Sequence, residues 1–297
     1  MVKKKRWGKK YEDKRNWKEY NVKLVKRGEY YINPRFLETW LAEVKELNAG
    51  KVGQPYMYPD SMIEFLGVLK SKGFDYRALE GIMRALSKRI NNFPVISYSQ
   101  IRRRIKQLPL NFQAKGKNLV TGTDGSGLKV SNRGEWIRQK WAVRRGWVKV
   151  VILGDTEGNI VDIRVGNEDL DENEASRGML RNNAENINKN LGDGLYDSED
   201  NFNLYDELDI EAGIKIRENA VDGGLGPRPR AVREYQEKGY KQWAKDKNYG
   251  FRWVATEGIF SAVKRIFGEE LTSHKKRNLY HEAKLKFWSY QTIRDAC

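Results

Sequence analysis

A chain of 297 residues, 39% hydrophobic and 32% charged with a net charge of +16, can bury a substantial core and is too rich in Trp, Tyr and Phe to stay disordered. Its single cysteine, Cys297, excludes an intramolecular disulfide and any cysteine-based zinc site, which suits a reducing, cytoplasmic setting. No apolar run approaches a membrane span, and none follows Lys3, Lys4, Lys5 and Arg6, so neither a membrane partner nor a secretory signal is expected.

The charge is segregated. Residues 1–115 hold 26 Lys and Arg against 11 Asp and Glu, and the remainder is almost neutral. A polycation gains affinity for phosphates by releasing counterions, so nucleic acid is the expected partner. Residues 1–31 read as a basic aromatic arm, with Trp7, Tyr11, Trp17 and Tyr20 among the lysines. The basic tetrad is a solvated arm or, in a eukaryote, a nuclear import signal.

Residues 32–115 read as a helical DNA-binding domain. Asn33 and Pro34 start a helix whose apolar positions, Phe36, Leu37, Trp40, Leu41, Val44 and Leu47, recur until Gly50. A second helix starts at Ser61 after Pro59, with Ser61 and Glu64 at capping-box spacing. A third runs from Asp75 through Leu79, Ile82, Met83 and Leu86 to Ile90, and a fourth from about Ser99 to Leu108. The fourth carries Arg102, Arg103, Arg104 and Lys106 as candidate DNA contacts. The short segment Phe93-Pro94-Val95 before it suggests a helix-turn-helix. The plainer alternative is a solvated arginine face. Pro109 to Gly116 is the expected linker.

From residue 116 the pattern is α/β. Leu119 to Asp124 reads as a strand running into a Gly125-Ser126-Gly127 turn. Trp147–Leu153 and Ile160–Val165 pair as a hairpin around residues 154–159. An acidic, Asn-rich helix follows over Asn173–Asn190, then a short strand or turn leading into Gly192-Asp193-Gly194, a helix near Glu199–Leu208 and a β segment over Gly213–Arg217. Residues 218–250 read as basic and irregular, and a helix spans Thr256–Phe267. A strand, a hairpin and then alternating helices and strands predict one mixed sheet covered by helices, similar to the ribonuclease H-like fold, over residues 116–297.

The chain has two histidines, His274 and His281, and neither stands in a base-plus-nucleophile arrangement. Carboxylates at element ends are the better candidates: Asp124 after a strand, Asp193 between glycines and Glu257 at a helix start. Carboxylates brought together in this way suit hard cations such as Mg²⁺. Taken singly, two of them could be turn residues and the third a favourable helix N-terminal charge. Asp197 is the nearest competitor of Asp193, while Asp155, Asp162 and Asp169 look like solvated hairpin positions. Helical projection puts Glu257, Ser261, Lys264 and Gly268 on one stripe, so Lys264 could grip a phosphate two turns from Glu257 or stay an ordinary solvated lysine.

Together these pieces resemble a family. Thr-Asp-Gly-Ser-Gly-Leu-Lys-Val at 123–130 resembles the first-aspartate motif of insertion-sequence DDE transposases of groups four and five. Gly-Asp-Gly-Leu-Tyr-Asp-Ser at 192–198 resembles their second motif, and Glu257 with Phe260 and Lys264 their third. Tyr249 and Arg252 keep the family's first spacing, and Glu257 and Lys264 its last, but four residues rather than three separate Arg252 from Glu257. The resemblance covers about residues 55–295. It implies a ribonuclease H-like core and two divalent ions, Mg²⁺ or Mn²⁺, held by Asp124, Asp193 and Glu257. It also implies Lys264 as a catalytic residue, Arg252 as a DNA contact, and cleavage at element ends followed by strand transfer. The implied partners are the terminal inverted repeats, target duplex and a second copy of the chain on DNA, at a prokaryotic nucleoid. The alternatives are a structure-specific nuclease on the same fold and an inactive remnant acting as a DNA-binding regulator.

The charge segregation predicts that the full chain binds duplex DNA of any sequence, with an affinity that falls steeply as salt rises. Fluorescence anisotropy between about 50 and 200 mM salt checks this, and salt-insensitive binding would contradict it.

Overall fold

The computed structural model describes residues 16–91, 93–131 and 147–296. The basic tetrad, Trp7, Tyr11 and Cys297 lie outside the described residues. Five helices come first: α1 (Trp17–Tyr30), α2 (Phe36–Leu47), α3 (Asp60–Ser71), α4 (Tyr76–Ser87) and α5 (Tyr98–Ile105). Asn16, Asp75 and Ser97 cap α1, α4 and α5 by accepting first-turn amides. Because Asn16 provides that cap, much of the expected arm is helical. The expected capping box of Ser61 and Glu64 does not form. The helix starts at Asp60, and Ser61 gives its N–H (3.1 Å) and hydroxyl (2.8 Å) to the Glu43 carboxylate, which ties α3 to α2.

The helix-turn-helix expectation is also corrected. Residues 88–97 separate α4 from α5, too long a link for a tight turn, and Phe93 and Ile96 in it are buried in the core. Of the arginine run, Arg104 turns inward. It is 7% exposed, pairs with Asp60 at 2.7 Å and lies 4.7 Å over the Tyr56 ring, so it holds the helices together and is not free for DNA. Arg102 and Arg103 remain exposed and Lys106 half-buried.

The sheet holds β1 (Leu119–Val130), β2 (Trp147–Asp155), β3 (Ile160–Gly166), β4 (Ile187–Gly192), β5 (Glu211–Ile214) and β6 (Glu270–Leu271). Its order is β3-β2-β1-β4-β5, with β1, β2 and β3 antiparallel neighbours and β4 and β5 parallel to β1. This is the mixed sheet of the ribonuclease H-like fold. The connecting helices are α6 (Glu172–Asn183), α7 (Glu199–Glu207), α8 (Pro227–Asp246), α9 (Arg252–Ala255), α10 (Glu257–Phe267) and α11 (Lys276–Asp295).

Four expectations from sequence change here. Strand β1 does not turn at Gly125 but continues to Val130. The Asn-rich segment ends its helix at Asn183, and Ile187–Gly192 is strand β4. Residues 227–246 are helical, kinked at Gly239, with Pro227 at a first-turn position where its missing N–H costs nothing. Asp155, expected in solvent, is buried and accepts from the Asn159 backbone (2.8 Å) and side-chain amide (2.8 Å), closing the hairpin turn.

Strand β2 is apolar at nearly every position because both its faces are covered. Val150 and Ile152 pack with Phe260 and Val263 of α10, Phe287 and Trp288 of α11, and Met62, Leu66 and Ile101 of α3 and α5. Val151 and Leu153 pack on the other face with Met179 of α6, Phe202 of α7 and Val232 of α8. The N-terminal helices therefore share a core with one face of the sheet. Ser71 and Ser289 hydroxyls meet at 2.8 Å within it, and Lys72 donates to the Ile266 carbonyl at 3.2 Å.

Two glycines let α9 and α10 sit directly on the strands. Gly122 and Gly154 face each other across β1 and β2. A Cβ at Gly154 would lie 2.0 Å from the Ala255 carbonyl oxygen, and one at Gly122 would lie 2.9 Å from the Ala255 Cβ. No rotamer can relieve a clash with backbone. Gly154→Ala is expected to cost about 1–3 kcal/mol of stability. Gly178→Ala in α6, where an added Cβ meets nothing within 4 Å, is expected to be neutral or stabilising. Urea denaturation of the two variants checks the contrast.

Candidate active site

Strand register brings the first two acids together. In the parallel β1–β4 pair, Gly122 lies opposite Leu191, so Asp124 and Asp193 both stand two residues further along adjacent chains. The register is pinned by a buried polar contact. Thr121 and Thr123 donate to the Asn190 side-chain oxygen (2.9 and 3.2 Å), and the Asn190 amide donates to the Tyr205 hydroxyl (2.9 Å). Beyond Gly122 the two strands part, and β6 joins β1 only at Lys129 and Val130. Among the described residues, no strand pairs with positions 123–128 on that side of β1. Such a split at the carboxyl end of parallel strands is where α/β sheets open a crevice.

The third acid arrives on α10. Thr256, fully buried at φ −130° and ψ −77°, breaks the chain between α9 and α10, so Glu257 starts a new helix. That break absorbs the extra residue between Arg252 and Glu257. The Arg252 guanidinium reaches both acids, at 2.5 Å to Glu257 and 3.4 Å to Asp124. Lys264, two turns along α10, donates to the Ser126 hydroxyl at 3.0 Å, two residues past Asp124 on the same face of β1. Asp124, Glu257, Arg252 and Lys264 are thus brought together, with Asp193 beside Asp124. Arg102, Arg103 and Lys106 belong to the separate surface of α5 and its carboxyl end.

Asp193 is anchored from both sides. Its carboxylate accepts from the Leu195 amide at 2.8 Å, and the buried Tyr249 hydroxyl donates to the Gly192 carbonyl at 3.1 Å. Asp197, its competitor from sequence, is fully buried and pairs with Arg228 at 2.7 Å and with the Arg217 amide at 3.0 Å. It locks α8 to the loop that carries Asp193 and is closed to solvent.

Glu172 is the charged neighbour that the sequence did not point to. Its carboxylate packs on Gly125, where a Cβ would lie 2.2 Å from Oε2, and it pairs with Lys149 at 3.3 Å. A glycine after Asp124 is its only trace in sequence, and that reads as a turn. Burial pushes the Asp124 pKa up to about 6, the Gly125 amide and Arg252 oppose the rise, and Asp193 and Glu172 reinforce it. The Tyr196 hydroxyl is buried without a hydrogen-bond partner among the described residues, and its pKa is raised by burial and then by Glu172, Asp124 and Asp193.

Three oxygen-donor acids, a charge deficit at Asp124 and an orphaned hydroxyl beside them fit a hard divalent cation. Among the described residues, no three acids or histidines stand close enough together to ligate one ion as the side chains lie. Arg252 spans two of the acids, so a cation held by both would have to displace that side chain.

Comparison with known proteins identifies the family. A Transposase DDE domain family matches residues 115–290, and a second family of the same description matches residues 25–133. No curated protein matches. Among solved structures, the Mos1 mariner paired end complex with Mn is 10% identical, with 94% of this chain and 98% of that chain covered and a TM-score of 0.24. The simian T-cell lymphotropic virus intasome in complex with the PP2A regulatory subunit B56 gamma is also 10% identical, with 69% and 72% covered and a TM-score of 0.26. Scores that low carry no argument, and the assignment rests on the domain families.

The Asp124 shift has a measurable consequence. The folded chain keeps a proton on Asp124 up to about pH 6, whereas the ordinary carboxyl releases it near 3.8. Its stability therefore falls as pH rises through that window, and the full cost stands above it. In chelator, Asp124→Asn is expected to raise stability at pH 7 by on the order of 1–3 kcal/mol and to flatten the dependence between pH 4 and 6. Urea titrations at pH 4.5 and 7 check the sign, which reverses if Asp124 is an ordinary stabilising ion-pair partner.

Proposed function

This chain belongs to the DDE transposase family, and from that premise we propose that Asp124, Asp193 and Glu257 are the acids that hold its divalent metal. It is an enzyme of metal-dependent DNA cleavage and strand transfer, which selects that activity over the junction-nuclease alternative. The observation that carries the assignment of residues is their convergence. Strand β1, the end of β4 and the start of α10 deliver one acid each to the split edge of β1. Two ions, Mg²⁺ or Mn²⁺, would lower the cost of forming the attacking oxyanion and of releasing the leaving oxygen.

The chain's own residues supply the rest. Lys264, aimed at β1 by Ser126, binds a phosphate oxygen of the scissile strand. Arg252 balances the acids and turns to DNA when they are otherwise neutralised. Tyr249, through Gly192, keeps Asp193 at the site. In organisation, residues 1–31 and 32–115 bring basic DNA contacts and 116–297 the chemistry. Terminal inverted repeats and target duplex are the substrates, two copies act on paired ends, and the enzyme works where the genome is, at the nucleoid. Among the described residues, no helix is long and apolar enough to cross a membrane.

Cleavage of a duplex carrying the element's terminal repeat, in Mg²⁺ or Mn²⁺, tests the assignment. Asp124→Asn, Asp193→Asn and Glu257→Gln are expected to lose about a thousandfold or more while still binding DNA. Mn²⁺ should raise the melting temperature of the parent and not that of Asp124→Asn. Asp197→Asn should lose activity only as far as it loses stability. Activity in the first three variants, or in EDTA, would overturn the assignment.

A further inference from the structure

The arginine-bearing helix does not stand alone. A cleft of about 320 Å³ opens between α5 and the amino end of α11. Four cations from separate elements line it: Lys70 of α3, Arg102 of α5, Lys106 just after α5, and Lys275 before α11. Among the described residues, Arg102, Lys106 and Lys275 have no ion pair. The nearest acid, Glu282, is engaged by the Thr272 amide (2.9 Å) and hydroxyl (3.1 Å) and the Ser273 amide (2.9 Å). His281 lines the same wall with its Nε2 buried and without a partner among the described residues.

Four like charges converging on one carboxylate, Glu282, are costly, and the Lys106 pKa is lowered by burial and then by Arg102, Arg277 and Lys275. The twenty-residue helix α11 begins here, with no side chain capping its first amides, and adds its own partial positive charge. A fold tolerates this repulsion where an anion relieves it. The cleft also has a place relative to the acids. Strand β6, which feeds the loop carrying Lys275, pairs with Lys129 and Val130 of β1. Those positions lie five and six residues from Asp124, about 20 Å at the rise of a strand.

We propose that this cleft binds a backbone phosphodiester of the DNA on which the enzyme acts, clamping the duplex away from the acids. The proposal rests on the transposase function given above. It changes the part played by α5. Arg102 and Lys106, which face the cleft, fix where the backbone lies and read no sequence. The clamp draws residues from both the N-terminal helices and the catalytic part, so DNA held there is positioned relative to Asp124 by a rigid core.

The test uses the full-length chain with two labelled duplexes, one random and one carrying the terminal repeat, titrated across salt. Arg102→Ala combined with Lys275→Ala is expected to weaken both duplexes by the same factor, about tenfold or more. It should also lower the slope of log affinity against log salt by about one for each phosphate that is no longer neutralised. Arg102→Lys should restore most of the binding, and Arg103→Ala, outside the cleft, should change the slope less. Circular dichroism melts confirm that each variant folds. Unchanged affinity and slope would overturn the proposal, as would a loss confined to the repeat-bearing duplex, which would make the cleft a base reader. Competition with inorganic phosphate separates the sources: a cleft that binds free phosphate while DNA affinity ignores Arg102 and Lys275 is not a DNA clamp. Asp124→Asn keeps the parental salt slope if the acids and the cleft are separate, so a failure of either assignment shows by itself.

Discussion

The close approach of Ala255 to the paired glycines Gly122 and Gly154 is the constraint on which the site depends. A side chain at either position would hold the α9–α10 junction away from the sheet. With it would go Glu257, Arg252 and Lys264, all within ten residues of that junction. Strand residues normally bring side chains to a core, and these two bring none, because the Ala255 carbonyl packs on Gly154 and the Ala255 and Thr256 side chains pack on Gly122. The same device recurs at Gly125, which makes room for Glu172. A stretch of β1 rich in glycine is therefore a strand shaped by its neighbours.

Electrostatics at the site run against folding. Asp124 is desolvated beside two further acids, and its pKa is raised even though Arg252 stands against it. Positive charge from a divalent ion, a guanidinium or both is what such a cluster needs, and the surrounding structure holds it in place until then. The buried Asp197–Arg228 pair and the Thr-Asn-Tyr contacts between β1, β4 and α7 supply rigidity without sharing the exposed chemistry. Polar groups that are fully satisfied fix register, and groups left wanting mark the place where a ligand binds.

Basic helices and catalytic sheet are joined by one apolar core, in which α3 and α5 meet α10, α11 and the sheet face. The basic surface of α5, mounted on that core, is held in one place relative to the acids. The same core also explains why the arginines of α5 divide their work, with Arg104 committed to packing and Arg102 left outward.

The amino-acid sequence alone carries the class of fold, the hairpin of β2 and β3, the helices begun by Asp75 and Glu257, and Asp124, Asp193 and Glu257 as carboxylates at element ends. Those features are written locally, in apolar periodicity, capping residues and short motifs. It did not determine the length of β1, because glycines after an aspartate look like a turn until the groups that pack on them are known. Nor could it place Ser61 against Glu43, turn Arg104 inward, or identify Glu172, since each depends on a partner distant in the chain. The start of strand β4 at Ile187 hid inside an Asn-rich, helical-looking segment, and α8 behind prolines, because tertiary packing outweighed weak local preference. The spacing between Arg252 and Glu257 departs from the family's pattern in sequence, and only the break at Thr256 shows how both still reach one site.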